Sequence, residues 1–222
     1  MQVNGATLAP DSSGGLWWAA ERTLVFSDLH LEKASSLARR GYGLLPPYDT
    51  RATLAAIAAA ISRYAPARVI CLGDNFHDEG GSARLHPADR EALVAMVAAR
   101  DWIWLAGNHD PGLDGNLGGQ IVEELHLGPL VFRHEPLPGI QPGEIAGHLH
   151  PKASVTVTGA QFTRRCFASD GHRVVMPAFG AFTGGLDLSH KAFRGLFRAG
   201  LHAWILGDRT VHRFPVRHGG FR

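Results

Sequence analysis

Short apolar runs recur through the first 150 residues of the chain, and several of them end in a small cluster of Gly, Asp, Asn or His. The runs and the clusters that follow them are 23–26 before 27–30, 68–72 before 73–75, 102–106 before 107–110, and 144–146 before 147–150. Runs this short, bounded by glycine, favour buried β-strands over helices. The pattern therefore predicts four strands whose ends carry polar side chains.

Two longer segments between these runs have helical character. Residues 49–64 are rich in alanine, begin at the good capping residue Asp49 and stop before Pro66. Residues 87–100 place Pro87 in the first turn, where proline is tolerated, and repeat apolar residues at helical spacing. Alternation of strand and helix predicts a parallel sheet with right-handed crossovers.

The pattern changes from Gly128 onward to short alternating runs separated by turns, as at 155–157 and 173–176. Alternation of this kind indicates a second, more antiparallel sheet. The sequence contains no internal repeat, low-complexity tract or long linker. We therefore expect an α/β fold, a sandwich in a single domain that spans residues 1–222.

Composition narrows the class of protein. The 45% of hydrophobic residues and 19% of charged residues exclude intrinsic disorder. Two cysteines exclude a disulfide scaffold, and Cys71, inside an apolar run, is expected to be buried and inert. The sequence has neither a visible secretory signal nor an apolar run near the roughly 20 residues of a membrane span. We expect a cytoplasmic protein without membrane contact.

The chain is rich in histidine, and its charged residues are unevenly distributed along the sequence. The chain has 13 histidines beside three lysines, and imidazole is both the commonest metal ligand and a frequent acid–base catalyst. The net charge is only +2, yet residues 161–222 hold 10 basic and 3 acidic side chains. The arginines of this end are Arg194, Arg198, Arg209, Arg213, Arg217 and Arg222. They are suited to phosphate contacts, with a merely solvated face as the alternative.

Residue types that bind metals stand at the ends of the predicted strands, where ligands gather in sheets of this kind. With one further histidine, the candidates are Asp28, His30, Asp74, Asn108, His134, His148 and His150. Seven O and N donors exceed the need of one four-coordinate ion and suit two ions that share a bridging carboxylate. Because no thiolate is present, the donor set favours Mn²⁺, Fe or catalytic Zn²⁺ over a structural zinc site.

Each short motif taken alone is weak evidence. Asp-x-His and His-x-His occur by chance, and residues 107–110 are compatible with a simple turn. The histidines outside any motif are predicted to be non-catalytic, and they are His86, His126, His172, His190, His202, His212 and His218. The order of five such blocks along one chain, each at a strand end, is what makes the metal site the better interpretation.

The ordered blocks Asp-x-His, Gly-Asp, Gly-Asn-His-Asp, His and Gly-His-x-His resemble the calcineurin-type metallophosphoesterases. The resemblance implies a two-sheet β sandwich flanked by helices. It implies that one metal is bound by Asp28, His30 and His150. It implies that the second is bound by Asn108, His134 and His148, with Asp74 bridging the two. One departure is at His134, which is followed by Glu-Pro and is not preceded by glycine.

Nearly the whole chain shows a narrower resemblance, to the bacterial ligase-associated DNA damage response endonucleases. The segments that carry it are 28–33, 45–49, 73–78, 134–136 and 177–185. It implies a manganese-dependent phosphodiesterase and DNA endonuclease that acts on DNA in repair. It also implies partners encoded beside it, namely a DNA ligase, a helicase and a nuclease. Composition and spacing do not themselves indicate this substrate.

Two ions in such a site activate water for in-line attack on phosphorus, so the remaining motif residues become candidates for proton transfer and phosphate binding. We expect His109 to be the general acid for the departing alkoxide, with Asp110 as its orienting partner. Asn108, His109 and His77 are candidates to bind the substrate phosphate. The alternatives are a structural histidine at His109 and a supporting contact at His77.

Two other functions remain open from the sequence. The same metals in the same site would also serve a phosphodiesterase or phosphatase that acts on a small nucleotide-type substrate. A catalytically inactive scaffold that binds partner proteins would lack ligands, and every ligand position is filled here.

Overall fold

The computed structural model of the protein describes residues 1–42, 45–110, 112, 115–157, 160–198 and 200–216. Its first residues pair as two short antiparallel strands, β1 (Gln2–Val3) and β2 (Ala6–Thr7). Two larger sheets follow in chain order, the first of six strands and the second of nine.

The first sheet contains three of the four strands predicted from the apolar runs. Its strands, in spatial as well as chain order, are β3 (Ala9–Pro10), β4 (Leu16–Trp18), β5 (Thr23–Phe26), β6 (Arg68–Cys71), β7 (Asp101–Leu105) and β8 (Gln120–Val122). Strands β5 to β8 are parallel, whereas β3 and β4 pair antiparallel at one edge. The predicted parallel sheet is confirmed.

The connections between the parallel strands are helical. The helices are α1 (Lys33–Arg39), α2 (Asp49–Tyr64), the single turn α3 (Gly81–Arg84) and α4 (Pro87–Ala98). Helix α2 has the predicted bounds, but Asp49 does not cap it: the carboxylate accepts the backbone N–H of Ala34, at the start of α1. Helix α4 ends two residues before the predicted position 100, where the chain turns into β7.

The second sheet is mixed, with mostly antiparallel pairings. Its strands are β9 (Glu124–Leu127), β10 (Leu130–Arg133), β11 (Glu144–Ala146), β12 (Pro151–Val157), β13 (Ala160–Ser169), β14 (Val174–Val175), β15 (Leu186–Asp187), β16 (His202–Leu206) and β17 (Val211–Pro215). The sheet begins at Glu124, four residues before the predicted change of pattern. Strand β11 lies parallel to both β10 and β14.

The two sheets pack face to face. Successive side chains along the strands of the first sheet point to opposite faces, and both faces are covered with apolar residues. Val25 and Ile70 lie in the core between the sheets, whereas their neighbours Leu24 and Val69 pack against α2 and α4. A strand buried on both faces has no polar alternation, which explains the continuous apolar runs. The two-sheet sandwich is confirmed.

Cys71 is fully buried, and burial raises the pKa of its thiol, as expected for an inert cysteine.

An irregular segment packs on the outer face of the second sheet. Leu188, Phe193 and Leu196 pack on it, from a segment that holds one 3₁₀ turn, Lys191–Phe193. The expectation of flanking helices is therefore met on the first sheet, while an irregular segment replaces them on the second. No helix within the described residues is long and apolar enough to span a bilayer.

A buried ion cluster joins β10 and β11, the two strands that lead to the predicted histidine ligands. The carboxylate of Glu144, 1% exposed, accepts Arg133 Nη1 at 2.9 Å and the backbone N–H of Leu137 at 3.0 Å. Arg173, also 1% exposed, lies 3.3 Å from the other carboxylate oxygen. Removing one charge from such a cluster leaves its partners buried and uncompensated.

We therefore expect Glu144→Gln to lower the free energy of unfolding by about 3–5 kcal/mol. The matched control is Glu124→Gln, because Glu124 is bonded to the same Arg133 at 2.8 Å on the exposed surface. That change should cost less than about 1 kcal/mol. Urea unfolding measures both, as a lower midpoint at an unchanged slope. Equal losses in the two variants would contradict the role assigned to the buried cluster.

Candidate metal centre

The polar clusters at the strand ends meet at one edge of the sandwich. Asp28 and Asp74 follow the parallel strands β5 and β6, and His134 and His148 follow the parallel strands β10 and β11 of the other sheet. Because the carboxyl ends of parallel strands share an edge, each sheet delivers its ligands to the same place. His134 Nε2 lies 3.4 Å from Asp74 Oδ1, so the two sheets are in contact through these side chains.

Six of the seven candidate ligands form two groups, and in each group the possible ligand atoms lie within 4.8 Å of one another. The groups are Asp28, His30 and His150, and Asp74, His134 and His148. In the first group, His150 Nε2 lies 3.1 Å from Asp28 Oδ1 and 3.4 Å from His30 Nε2. In the second, His148 Nδ1 lies 3.3 Å from His134 Nε2.

Asp74 lies between the two groups. Its Oδ2 is 3.8 Å from His30 Nε2, in the first group, and its Oδ1 is 3.4 Å from His134 Nε2, in the second. Each carboxylate oxygen thus faces a different set of imidazoles. A carboxylate in this position is able to bridge two cations.

The backbone around the clusters is unusual. Five of the predicted ligands have positive φ although none is glycine: Asp28, His30, Asp74, His148 and His150. Left-handed backbone at non-glycine residues costs free energy and is concentrated at functional sites. It turns the chain sharply after each strand, so that consecutive ligand side chains point into the same space.

Two glycines allow the strand ends to approach this closely. A Cβ on Gly147 would collide with Ser27 Oγ and Asp28 Oδ2, and one on Gly107 would collide with the backbone nitrogen of Asp74. Ser27, which the sequence analysis did not single out, donates its hydroxyl to Asp28 Oδ2. Only its position next to Asp28 pointed to this contact.

Backbone carbonyls orient two of the imidazoles. His134 Nδ1 lies 2.7 Å from the carbonyl oxygen of Leu72, and His109 Nδ1 lies 2.9 Å from that of His77. A carbonyl oxygen only accepts, so Nδ1 carries the proton in both rings. In the neutral ring this leaves the lone pair on Nε2, and in His134 that atom faces Asp74.

Burial controls the charge of these side chains. It lowers the pKa of His30 to about 3 and lowers that of His148, so both rings are neutral at pH 7 and offer a lone pair. Burial alone would raise the pKa of Asp28, but the hydrogen bond and charge of His150 outweigh it, and the pKa lies below its usual value. Neutral imidazoles and ionised carboxylates are the forms that bind metal ions.

The donor set therefore fits two divalent cations. Buried carboxylate oxygens and imidazole nitrogens converge in both groups, and no thiolate is among them. Asn108 belongs to the loop that packs on Asp74, between Gly107 and His109, and its side chain is exposed. An amide oxygen is a suitable donor for a divalent cation, and Asn108 remains a predicted ligand.

The candidates for phosphate binding and proton transfer lie beside the metal ligands. The His109 backbone N–H donates to Asp74 Oδ1 at 3.0 Å, and its exposed ring stacks on that of His77 with a centroid distance of 5.2 Å. His77 Nδ1 lies 3.4 Å from His30 Nδ1. Burial lowers the pKa of His77 to about 4. These contacts form a third group of converging ring nitrogens, from His30, His77 and His109. The sequence did not predict this group.

Asp110 is placed differently from the expectation. It is 2% exposed, and its Oδ2 accepts the backbone N–H groups of Asn75 at 2.9 Å and Phe76 at 3.1 Å. Burial raises its pKa to about 6, although these N–H donors oppose the shift. The partner of His109 Nδ1 is instead the His77 carbonyl. Asp110 therefore positions the loop that carries Asp74, because its short side chain reaches the backbone of that loop.

The arginine-rich end does not contribute to the clusters within the described residues. Arg194, Arg198, Arg209 and Arg213 are all exposed, and Arg213 packs its guanidinium on Trp204 at 5.6 Å from the ring centroid. Arg217 and Arg222 lie outside the described residues.

Comparison of structures relates the chain to known proteins. It is similar to the crystal structure of Pseudomonas putida nuclease MPE, with a TM-score of 0.76 and 27% sequence identity over 96% of this chain and 98% of that one. Yfce, a phosphoesterase from E. coli, matches at a TM-score of 0.44 and 13% identity over 86% and 97% of the two chains. None of the curated proteins compared with the chain matches it.

The family model described as calcineurin-like phosphoesterase matches residues 21–175. This range is most of the chain, and it contains both ligand groups together with Asn108, His109 and His77. The fold expected from the motif resemblance is confirmed by the same match and by the nuclease structure. The chain therefore belongs to the calcineurin-like phosphoesterase family, and it is a metal-dependent hydrolase with a dinuclear site.

Proposed function

We propose that this protein is a phosphodiesterase that acts on DNA as an endonuclease in DNA repair. The observation that carries the proposal is the placement of Asp74 between two groups of carboxylate and imidazole donors. Such a pair of sites is suited to clamp a phosphodiester during in-line displacement. Similarity to a nuclease over nearly the whole of both chains supports DNA as the substrate.

We assign the ligands as the geometry groups them. One cation is held by Asp28, His30 and His150, and the other by His134 and His148, with Asp74 contributing to both. Asn108 is added to the second set on the motif resemblance alone. Mn²⁺ is our preferred metal, with Fe and Zn²⁺ as alternatives, because the donors are mixed carboxylate, amide and imidazole. When bound, the cations supply a water nucleophile at neutral pH and polarise the phosphoryl oxygens.

His109 is the general acid in this proposal. The His77 carbonyl holds its Nδ1 proton, so the proton available for transfer is the one on Nε2 of the protonated ring. Its ring is exposed next to Asp74, where a departing alkoxide has access to it. Asn108 and His77 are assigned to hydrogen bonds with the substrate phosphate.

The motif resemblance to ligase-associated endonucleases supports a setting for this activity. In that setting the enzyme works in the cytoplasm beside a DNA ligase, a helicase and a nuclease of one repair system. A nuclease that leaves ends for a ligase to join is chemically consistent with such partners.

Asp74→Asn tests the bridging role. The amide keeps the size of the side chain and removes its charge, so metal content and turnover should fall together, turnover by more than about 100-fold. Metal analysis of protein purified with Mn²⁺ and the rate on an activated phosphodiester measure the two. Asp89→Asn removes the same charge from the pair with Arg51 at 3.2 Å and should change neither. Full metal content in the Asp74 variant would refute the assignment.

His109→Asn tests the general acid. The variant should keep its metal and lose roughly 10²–10⁴ in rate on a diester with an alkoxide leaving group. The loss should shrink with a nitrophenolate leaving group, which hardly needs a proton. His126→Asn, at an exposed histidine paired with Glu124, is the control and should be neutral. An equal loss on both leaving groups would exclude proton donation by His109.

The substrate is decided by a nicking assay on single-stranded and duplex DNA with Mn²⁺ across a salt series. We expect cleavage that weakens steeply as salt rises, because contacts with phosphates release counterions. Turnover of a small diester without any DNA cleavage at low salt would overturn the DNA assignment. That result would favour the small nucleotide-type substrate.

A further inference from the structure

A polar cavity of about 410 Å³ lies outside the two ligand groups, on the hairpin that follows His150. The residues that line it include Lys152, Thr163, Arg164, Arg165, Thr183 and Asp208. Basic side chains outnumber acidic ones in this set, and Asp208 is exposed. The function described above does not use these residues.

Two of the basic residues form an unfavourable pair. Lys152 of β12 and Arg165 of β13 are direct cross-strand partners in an antiparallel ladder. Opposite residues point to the same face of the sheet with their Cβ atoms about 4.5–5.5 Å apart, and like charges in this arrangement repel. Across the described ranges, no carboxylate is paired with either side chain. The carboxylate on the other side of Lys152, that of its ladder partner Asp187 in β15, accepts the N–H and hydroxyl of Ser189 instead. Among the described residues, the repulsion is therefore not offset by an ion pair.

Arg165 is held rigidly in this arrangement. Its Nη1 donates to the carbonyl oxygen of Ala178 at 2.7 Å, and its Nη2 reaches that of Ser13 at 3.5 Å. Both acceptors are neutral. Burial lowers the pKa of this arginine, which reflects the cost of a charge partly removed from water. An anion in the cavity would compensate both Arg165 and Lys152.

The cavity and the ligand groups share one loop, residues 180–185. At its start, the Gly180 N–H donates to the Asp28 carbonyl oxygen at 3.2 Å, and further along Thr183 lines the cavity. At its end, a Cβ on Gly185 would collide with the His150 carbonyl oxygen and lie 2.9 Å from Lys152 Cε. The loop therefore packs on His150 and Lys152 at once.

The short distance along the chain between the metal ligand His150 and Lys152 of the cavity suits a polynucleotide substrate. Lys152 follows His150 by two residues, and two residues of a β-strand span about 7 Å. This is comparable with the distance between successive phosphates of an extended polynucleotide backbone. Because Lys152 follows His150 so closely in the chain, a phosphate at the metal ligands would bring its neighbour within reach of the Lys152 side chain.

We propose that this cavity is the subsite for the phosphate next to the scissile one in a polynucleotide substrate. Lys152 contacts that phosphate, and Arg165 supplies a fixed positive charge in the wall. The inference rests on the proposed nuclease function and deepens it, because it makes a chain with at least two successive phosphates the preferred substrate.

The test compares two substrates on the metal-loaded enzyme: a dinucleoside monophosphate, which has only the scissile phosphate, and a short single-stranded oligonucleotide. In Lys152→Gln, the ratio of kcat/KM on the oligonucleotide to that on the dinucleoside monophosphate should fall roughly 10-fold. The salt dependence on the oligonucleotide should also become shallower, by about one unit of the logarithmic slope. Lys191→Gln removes the same charge from the exposed 3₁₀ turn and is the matched control.

Each outcome has a distinct meaning. A fall in the ratio for the Lys152 variant alone supports the subsite. An unchanged ratio in that variant, or an equal fall in both variants, overturns it, since the second result reports net charge alone. Failure of the unmodified enzyme to cleave the oligonucleotide while it cleaves the dinucleoside monophosphate would refute the proposed nuclease function instead. Circular dichroism and metal content of both variants verify that neither has lost its fold.

Discussion

The site depends on one constraint, the face-to-face packing of two sheets whose parallel strands end at the same edge. Strands β5, β6 and β7 bring Asp28, Asp74 and the loop of Asn108 to that edge, and β10 and β11 bring His134 and His148 from the other sheet. Neither sheet holds a complete ligand group. A one-residue slip in the register of a strand within either sheet would move its side chains to the opposite face and disturb the cluster.

Close approach at this edge requires both small residues and fixed hydrogen bonds. Gly107 and Gly147 lie where any side chain would collide with Asp74 or with Ser27 and Asp28. Carbonyl oxygens of Leu72 and His77 hold the Nδ1 atoms of His134 and His109. The apolar core determines where the strands end, and the backbone carbonyls determine how these two rings are turned. Orientation to this degree keeps ligand atoms in place without a cost of reorganisation when a cation binds.

Electrostatics divide the surface near the site into two parts. The ligand groups combine two buried carboxylates with imidazoles, of which His30 and His148 are neutral at pH 7, and this suits cations. The adjacent cavity sets Lys152 opposite Arg165, and within the described residues neither forms an ion pair with a carboxylate, which suits an anion. A phosphodiester chain is a ligand for which both environments are favourable, because its phosphates need cations at the reacting bond and positive charge beyond it. The loop of residues 180–185 joins the two parts.

The sequence by itself determined the parallel strands, the helix at residues 49–64 and the order of the motif blocks. The spacing of apolar residues and the position of glycines at turns are local signals that can be read from the sequence. It also indicated which residues at the strand ends are of metal-binding type. Only the tertiary structure decided which of them meet, that His77 joins His30 and His109, and that Asp110 supports the Asn75 backbone instead of His109. The pairing of Lys152 with Arg165 was equally beyond the sequence. These are contacts between residues separated in the chain, and they depend on strand register and sheet packing, which no local pattern specifies.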